Sequence, residues 1–255
     1  MRFAINFLKS NVGIDSPALL SSPFLLIVLS YFGHRRGYNI TAEEEAQLRN
    51  WTLIANAKGR FSRGSSETIL DQDLSALKND KPVQDLIDRL RSQVGRLDIT
   101  PEELEGRNQR SALFKTMFLA FRGAGAKDWS SNLTIALDHS GAQHRLQFHH
   151  IFPKALLSRA GLTSREADDI ANLAFIGGKT NRAISDKAPA QYLPPLIEKN
   201  HKSVMSQAIP DDPVLLDIAS YKAFLVERRK LVAVRLNEFI GQGVMQASLE
   251  LVPVP

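Results

Sequence analysis

Apolar positions recur at helical spacing over most of the chain, and the residues that flank them carry helix start signals. Thr41 and Glu44 form a capping-box pattern ahead of Leu48, Trp51, Leu53 and Ile54. Leu70, Leu74 and Leu77 repeat at three- and four-residue intervals, and Leu86, Ile87, Leu90 and Val94 follow. Thr100, Pro101 and Glu103 supply N-cap, N1 and N3 of another helix. Leu113, Phe114, Met117, Phe118 and Phe121 make an apolar stripe that Gly123 closes. Asp212 and Pro213 open a long helix through Leu225, Leu236 and Phe239 to Gly241, and residues 252–255 read as a loose tail. The longest apolar run, Pro23 to Phe32, is half of the ~20 residues that a bilayer requires, so it predicts a buried helix. Neither an internal repeat nor a low-complexity stretch is present.

One region departs from that rhythm. Residues Arg145 to His149 alternate with period two, and Asn172 to Ile176 form a second short β-like run ending at Gly177-Gly178. Thr163 and Glu166 cap a short helix between them. After them Thr180 to Lys187 can form a helix that Pro189 stops. The expected fold class is therefore α+β, mainly α-helical with one embedded ββα unit. The expected division is a helical region over 1–135, the ββα module over 136–200, and a C-terminal helical segment over 201–255 that packs on the first region.

Composition narrows the chemistry. The 255 residues contain no cysteine, which removes disulfides, thiolate metal sites and a cysteine nucleophile and agrees with a cytoplasmic location. Lysine and arginine number 32 against 27 acidic residues, a net +5 that points mildly to a polyanionic partner. The start of the chain is not a clean signal peptide, because Lys9 and Asp15 interrupt it, and no membrane partner is expected.

Four of the six histidines, His139, His144, His149 and His150, fall within twelve residues. Histidine is both a metal ligand and the side chain that titrates nearest neutrality, so such clustering marks candidate chemistry. On an ideal strand His149 and His150 point to opposite faces, which read alone makes His149 solvent-facing and His150 a hydrogen-bonded core residue. If the strand ends before Pro153, both can serve one site. Asn172 and Asn181 each read alone as cap or turn residues. His139 and His144 carry no motif role, and His34 and His201 read as structural. Arg60, Arg63 and Gly64-Ser65-Ser66 read either as a phosphate cradle or as a solvated loop with an N-cap. The runs His34-Arg35-Arg36 and Arg228-Arg229-Lys230 read as solvated surface.

Taken in order, His149-His150-Ile151-Phe152-Pro153-Lys154, then Asn172-Leu173-Ala174-Phe175-Ile176, then Thr180-Asn181-Arg182-Ala183-Ile184-Ser185-Asp186-Lys187 with Pro189 and Tyr192-Leu193, resemble an HNH nuclease. More narrowly they are similar to the C-terminal nuclease half of GmrSD-type modification-dependent restriction endonucleases. The resemblance is dense over residues 144–193. A fainter likeness covers Trp51, Arg60-Phe61-Ser62, Ser66-Glu67-Thr68 and Leu70-Asp71, and the long helix with Arg228 and Arg229.

The resemblance implies a one-metal His-Me finger site. His150 would be the general base toward water, a role imidazole suits near neutral pH. His149 and Asn181 would hold one divalent cation, Mg²⁺ or Mn²⁺, through a ring nitrogen and an amide oxygen. Asn172 would tie the connection between the strands to the first strand and so orient His150. Arg182 and Lys187 are the candidate phosphate contacts. The last motif position is Asn181 instead of histidine, a replacement that is common among relatives and weakens affinity for soft metals. The implied partner is double-stranded DNA, with a nucleotide-dependent specificity domain supplied by a separate chain or a longer protein, since no Walker-type loop is present. A non-cleaving DNA- or partner-binding subunit and an RNA-directed nuclease are the rival expectations.

Overall fold

A computed structural model describes residues 1–139 and 144–250, and the tail expected at 252–255 lies outside them. The chain divides into two compact units, Met1–Ile99 with Asn237–Pro255, and Thr100–Leu236.

The first unit begins with helices α1 (Arg2–Phe7), α2 (Phe24–Arg35) and α3 (Ala42–Lys58). The apolar run forms α2, with Leu25, Val28, Leu29 and Phe32 buried. At the start of α3, Thr41 Oγ1 accepts the Glu44 N–H at 3.1 Å and the Glu44 carboxylate accepts the Thr41 N–H at 3.2 Å, the reciprocal cap the spacing predicts. Ser65 caps α4 (Ser66–Ala76), and α5 (Pro82–Val94) follows with Leu86 and Leu90 buried.

Helix α4 turns a different face inward from the one its leucines suggest. Ile69, Asp73 and Ala76 are buried, while Leu70 and Leu74 are only half-buried. The cause is a buried ion pair: the Arg60 guanidinium grips both oxygens of Asp73, and its third nitrogen donates to Gln93 Oε1 at 3.0 Å. Arg60 is 2% exposed and therefore no part of a phosphate-cradling loop. Asn237 completes this unit by exchanging two 2.8 Å hydrogen bonds with the backbone of Ile99.

The second unit contains α6 (Pro101–Leu104), α7 (Ala112–Gly123), β1 (Leu146–His150), α8 (Lys154–Arg159), α9 (Ser164–Ala167), β2 (Leu173–Gly177), α10 (Gly178–Ile184), α11 (Pro189–Met205) and the first part of α12 (Tyr221–Glu250). The described chain is thus mainly helical with a small two-stranded sheet, an α+β arrangement. Strands β1 and β2 are antiparallel, with Phe148 opposite Phe175, His149 opposite Ala174 and His150 opposite Leu173. On one face Phe175 packs against Phe114, Phe118 and Phe121 of α7 and against Phe148, at ring separations of 5.1 to 6.0 Å. The other face joins Ala174 and Ile176 to a core with Trp129, Ile151, Phe152, Leu193 and Phe224.

The second compact unit holds α7 together with the strands, and the α7 phenylalanines pack on Phe175 of β2. Several expectations need correction. Gly123 ends α7, but the left-handed residue there is Gly125. Asp212 caps only a 3₁₀ turn, Pro213–Leu216, and the long helix starts at Tyr221. Pro189 opens α11 at its first position, where a missing N–H costs nothing. Arg228 and Arg229 are buried, Arg228 at 0% exposure, because its guanidinium serves three carbonyls: Ala171 at 2.8 Å, Gln207 at 3.1 Å and Ala208 at 3.2 Å.

Candidate active site

Strand β1 ends at His150 because the next two residues turn back onto Asn172. The Ile151 N–H donates to the Asn172 backbone carbonyl at 2.8 Å, and the Phe152 N–H donates to Asn172 Oδ1 at 2.8 Å. The Asn172 amide then donates to the Phe152 carbonyl at 3.1 Å and the Ala167 carbonyl at 2.9 Å. Asn172 is fully buried and saturates its side chain on backbone that strand pairing does not reach. It closes the 3₁₀ turn Ile170–Asn172 before β2, one residue earlier than the strand itself.

His149 and His150 leave the strand in different directions. His149, 3% exposed, lies on the core face with Trp129 and Tyr192, their ring centroids 5.9 and 5.7 Å away. His150 is half-buried and reaches Asp168 Oδ1 at 2.8 Å, and Lys154 Nζ reaches the same oxygen at 2.7 Å. The expectation of one solvent-facing and one core histidine is met with the residues exchanged.

Asn181, on the first turns of α10, comes to His149: Nδ1 and Asn181 Oδ1 are 2.8 Å apart. The Gly177–Thr180 junction that aims α10 is anchored by Asp128, whose carboxylate accepts from the Gly177 N–H and the Thr180 hydroxyl, each at 2.7 Å. Burial opposes ionisation of Asp128, but donors from Ser131, Thr180 and Gly177 outweigh it and hold its carboxyl below the usual range.

Proton counting fixes the state of His149. Burial pushes its pKa down to about 4, so the ring is neutral at pH 7 and carries one N–H. Its Nε2 lies 3.1 Å from the Tyr192 hydroxyl, which in turn donates to the buried Ile151 carbonyl at 2.9 Å. Since the phenol has a single proton and burial keeps it there well above the ordinary range, Tyr192 accepts from His149 Nε2–H. Nδ1 therefore presents a bare lone pair toward the Asn181 amide. With the amide oxygen inward, two acceptors face each other at 2.8 Å, an arrangement that a cation relieves. Neutral imidazole nitrogen and amide oxygen are suitable donors for a divalent ion, so these residues fit the group the sequence implies.

His150 has a different surrounding. Burial lowers its pKa, the hydrogen bond to Asp168 opposes that, and Lys154 adds to the lowering. For Asp168 burial works against ionisation, yet the bonds from Lys154 and His150 hold its carboxyl below the ordinary range. The two imidazoles are near enough that charge on His150 disfavours protonation of His149.

Arg182 and Lys187 are exposed, on α10 and just beyond it, with Lys187 Nζ donating to the Ala183 carbonyl at 3.2 Å. Residues 100–236 hold 19 basic and 14 acidic side chains while the rest of the chain is balanced at 13 each, so the whole +5 excess belongs to the unit with the histidines. The structure thus joins His149 to Asn181 and Asn172 to the turn after β1, and gives His150 its own acidic partner. Asp168 and the tyrosine that fixes the ring of His149 were not assigned roles from the sequence. Tyr192 lies in a recognised motif, whereas Asp168 sits in a short connection with no periodic or spacing signal.

No protein-family model matches the chain, and no solved structure matches it. It is similar to an uncharacterized protein of Methanocaldococcus jannaschii, 21% identical over 192 residues that cover 73% of this chain and 30% of that protein. The chain therefore matches within less than a third of that relative's length.

Proposed function

We propose that this chain is a divalent-metal-dependent DNA endonuclease, an HNH-type enzyme whose ββα-metal module runs from β1 through α10. The reading extends to the nuclease part of a cytoplasmic restriction or phage-defence system acting on modified DNA, as in GmrSD-type enzymes. The observation that carries it is the convergence of a neutral His149 Nδ1 and Asn181 Oδ1 at 2.8 Å, next to a second, partly accessible histidine.

His149 and Asn181 would hold one Mg²⁺ or Mn²⁺, which when bound supplies positive charge for the scissile phosphate and its departing oxygen. His150 takes the proton of the attacking water. Asn172 holds the 151–152 turn and so fixes where β1 releases that histidine. Arg182 and Lys187 meet phosphates on either side, contacts that position DNA without reading its bases. Base or modification reading then falls to a nucleotide-dependent partner chain or domain. The test is incubation of plasmid, with and without modified cytosines, with the chain and Mg²⁺ or Mn²⁺. Nicked or linear product that chelation abolishes is expected; intact plasmid in both metals on both DNAs contradicts the proposal.

A further inference from the structure

We propose that Asp168 is a positioning residue for His150: its carboxylate accepts Nε2–H, holding the imidazole as one tautomer with Nδ1 free to take a proton. This rests on the nuclease reading for the use of that proton, but the hold itself is a matter of geometry.

Three observations carry it. First, Asp168 Oδ1 lies 2.8 Å from His150 Nε2, and Lys154, at the start of α8, reaches the same oxygen at 2.7 Å. An ionised carboxylate has no proton to give, so the proton in that contact belongs to the ring. The other ring nitrogen is then the basic one.

Second, the backbone under Asp168 is fixed on both sides. The preceding residue's carbonyl, Ala167 O, takes the Asn172 amide at 2.9 Å. The following residue, Asp169, is 3% exposed and bonded to Arg229, to the Gly106 N–H at 3.0 Å and to the Ala171 N–H at 2.9 Å. Asp168 itself closes α9, its N–H donating to the Ser164 carbonyl at 2.9 Å. Asp169 is spent on structure, which leaves Asp168 as the carboxylate aimed at the ring.

Third, the contact has little to do for stability. Asp168 and Lys154 side chains are 38% and 48% exposed, and pairs at such sites contribute little to folding. A carboxylate held this firmly, on a histidine at a strand end, is explained by orientation.

The experiment is a long-range ¹H–¹⁵N spectrum of the histidine rings in the full ¹⁵N-labelled chain, metal-free at pH 8, with His150 assigned by its loss in His150→Gln. The wild type should show a protonated Nε2 and a bare Nδ1. Asp168→Asn, whose amide can also turn an N–H toward the ring, should mix or reverse the tautomers. Where the chain cleaves DNA, kcat should fall by ~10²- to 10⁴-fold with KM within about threefold, as a wrong tautomer does to a general base. Asp168→Glu should restore part of both signals. A protonated Nδ1 in the wild type overturns the proposal with no variant needed. An unchanged ring spectrum in Asp168→Asn also overturns it, and so does unchanged kcat in a chain that cleaves. A chain inert on DNA that shows the expected ring spectra would refute the nuclease reading while supporting the hold of Asp168 on His150.

Discussion

Replacing Asn172 by alanine should cost the second unit about 4 kcal/mol. The side chain makes three hydrogen bonds, from the Phe152 N–H and to the Phe152 and Ala167 carbonyls, at 2.8, 3.1 and 2.9 Å, and it is fully buried. A net hydrogen bond contributes about 1 kcal/mol, and each buried backbone group left without a partner costs roughly 1–3 kcal/mol. Three groups are orphaned together, and a water taking the place of the amide restores only part of their bonding, so the sum lands near 4 kcal/mol. Asn172→Asp should be at least as damaging, because it keeps the acceptor for Phe152 N–H but points its second carboxylate oxygen at two carbonyls. The assay is urea unfolding followed by Trp129 fluorescence in a Trp51→Phe background, since the chain has two tryptophans and they fall in different units. A domain's whole stability is about 5–15 kcal/mol, so the expected shift of the midpoint is large. A loss below about 1 kcal/mol in Asn172→Ala, or an aspartate variant as stable as wild type, would refute the three-bond clamp.

Stability should also fall in acid because of His149. Its folded pKa, about 4, lies below the unfolded value of about 6.5, so the unfolded chain gains a proton first as pH drops. The loss should begin near pH 6.5, reach about 3 kcal/mol near pH 4, and be missing from His149→Gln; parallel pH profiles of the two proteins would contradict it. Mn²⁺ titrated by electron paramagnetic resonance should bind the wild type and weaken at least tenfold in His149→Ala and in Asn181→Ala, and equal affinity in all three would remove these ligands. DNA binding should be weak, steeply salt-dependent and indifferent to modification, and Arg182→Gln and Lys187→Gln should each lower the salt slope by about 1. Unchanged slopes would take both residues off the phosphates.

What the sequence made legible was local. The caps at Thr41, Thr100 and Thr163 depend on side chains three residues apart, and all three helices start where those residues say. The two β runs were readable within one residue, the first from its alternation and the second as a short apolar run before Gly177-Gly178. What escaped depends on distant partners. Asp73 rotates α4 because Arg60 needs a buried carboxylate, and Arg228 leaves the surface because three carbonyls from 171, 207 and 208 converge on it. The pairing of His149 with Asn181 was suggested by motif order, but which histidine is buried follows from strand register, and register depends on where β1 ends. Asp168 had no signature because an acid beside Glu166 and Asp169 in a connecting segment is ordinary, and nothing local says which of them meets a histidine.

The central claim is that His150 acts on a water at a phosphodiester bond. The most direct measurement is single-turnover cleavage of a labelled duplex by wild type and His150→Ala at saturating Mn²⁺, with DNA affinity measured on the same proteins. The account requires a rate loss of ~10²- to 10⁴-fold with affinity unchanged within a few-fold, since phosphate contacts elsewhere hold the DNA. Near-normal cleavage by His150→Ala, or a loss explained wholly by weaker binding, would contradict it.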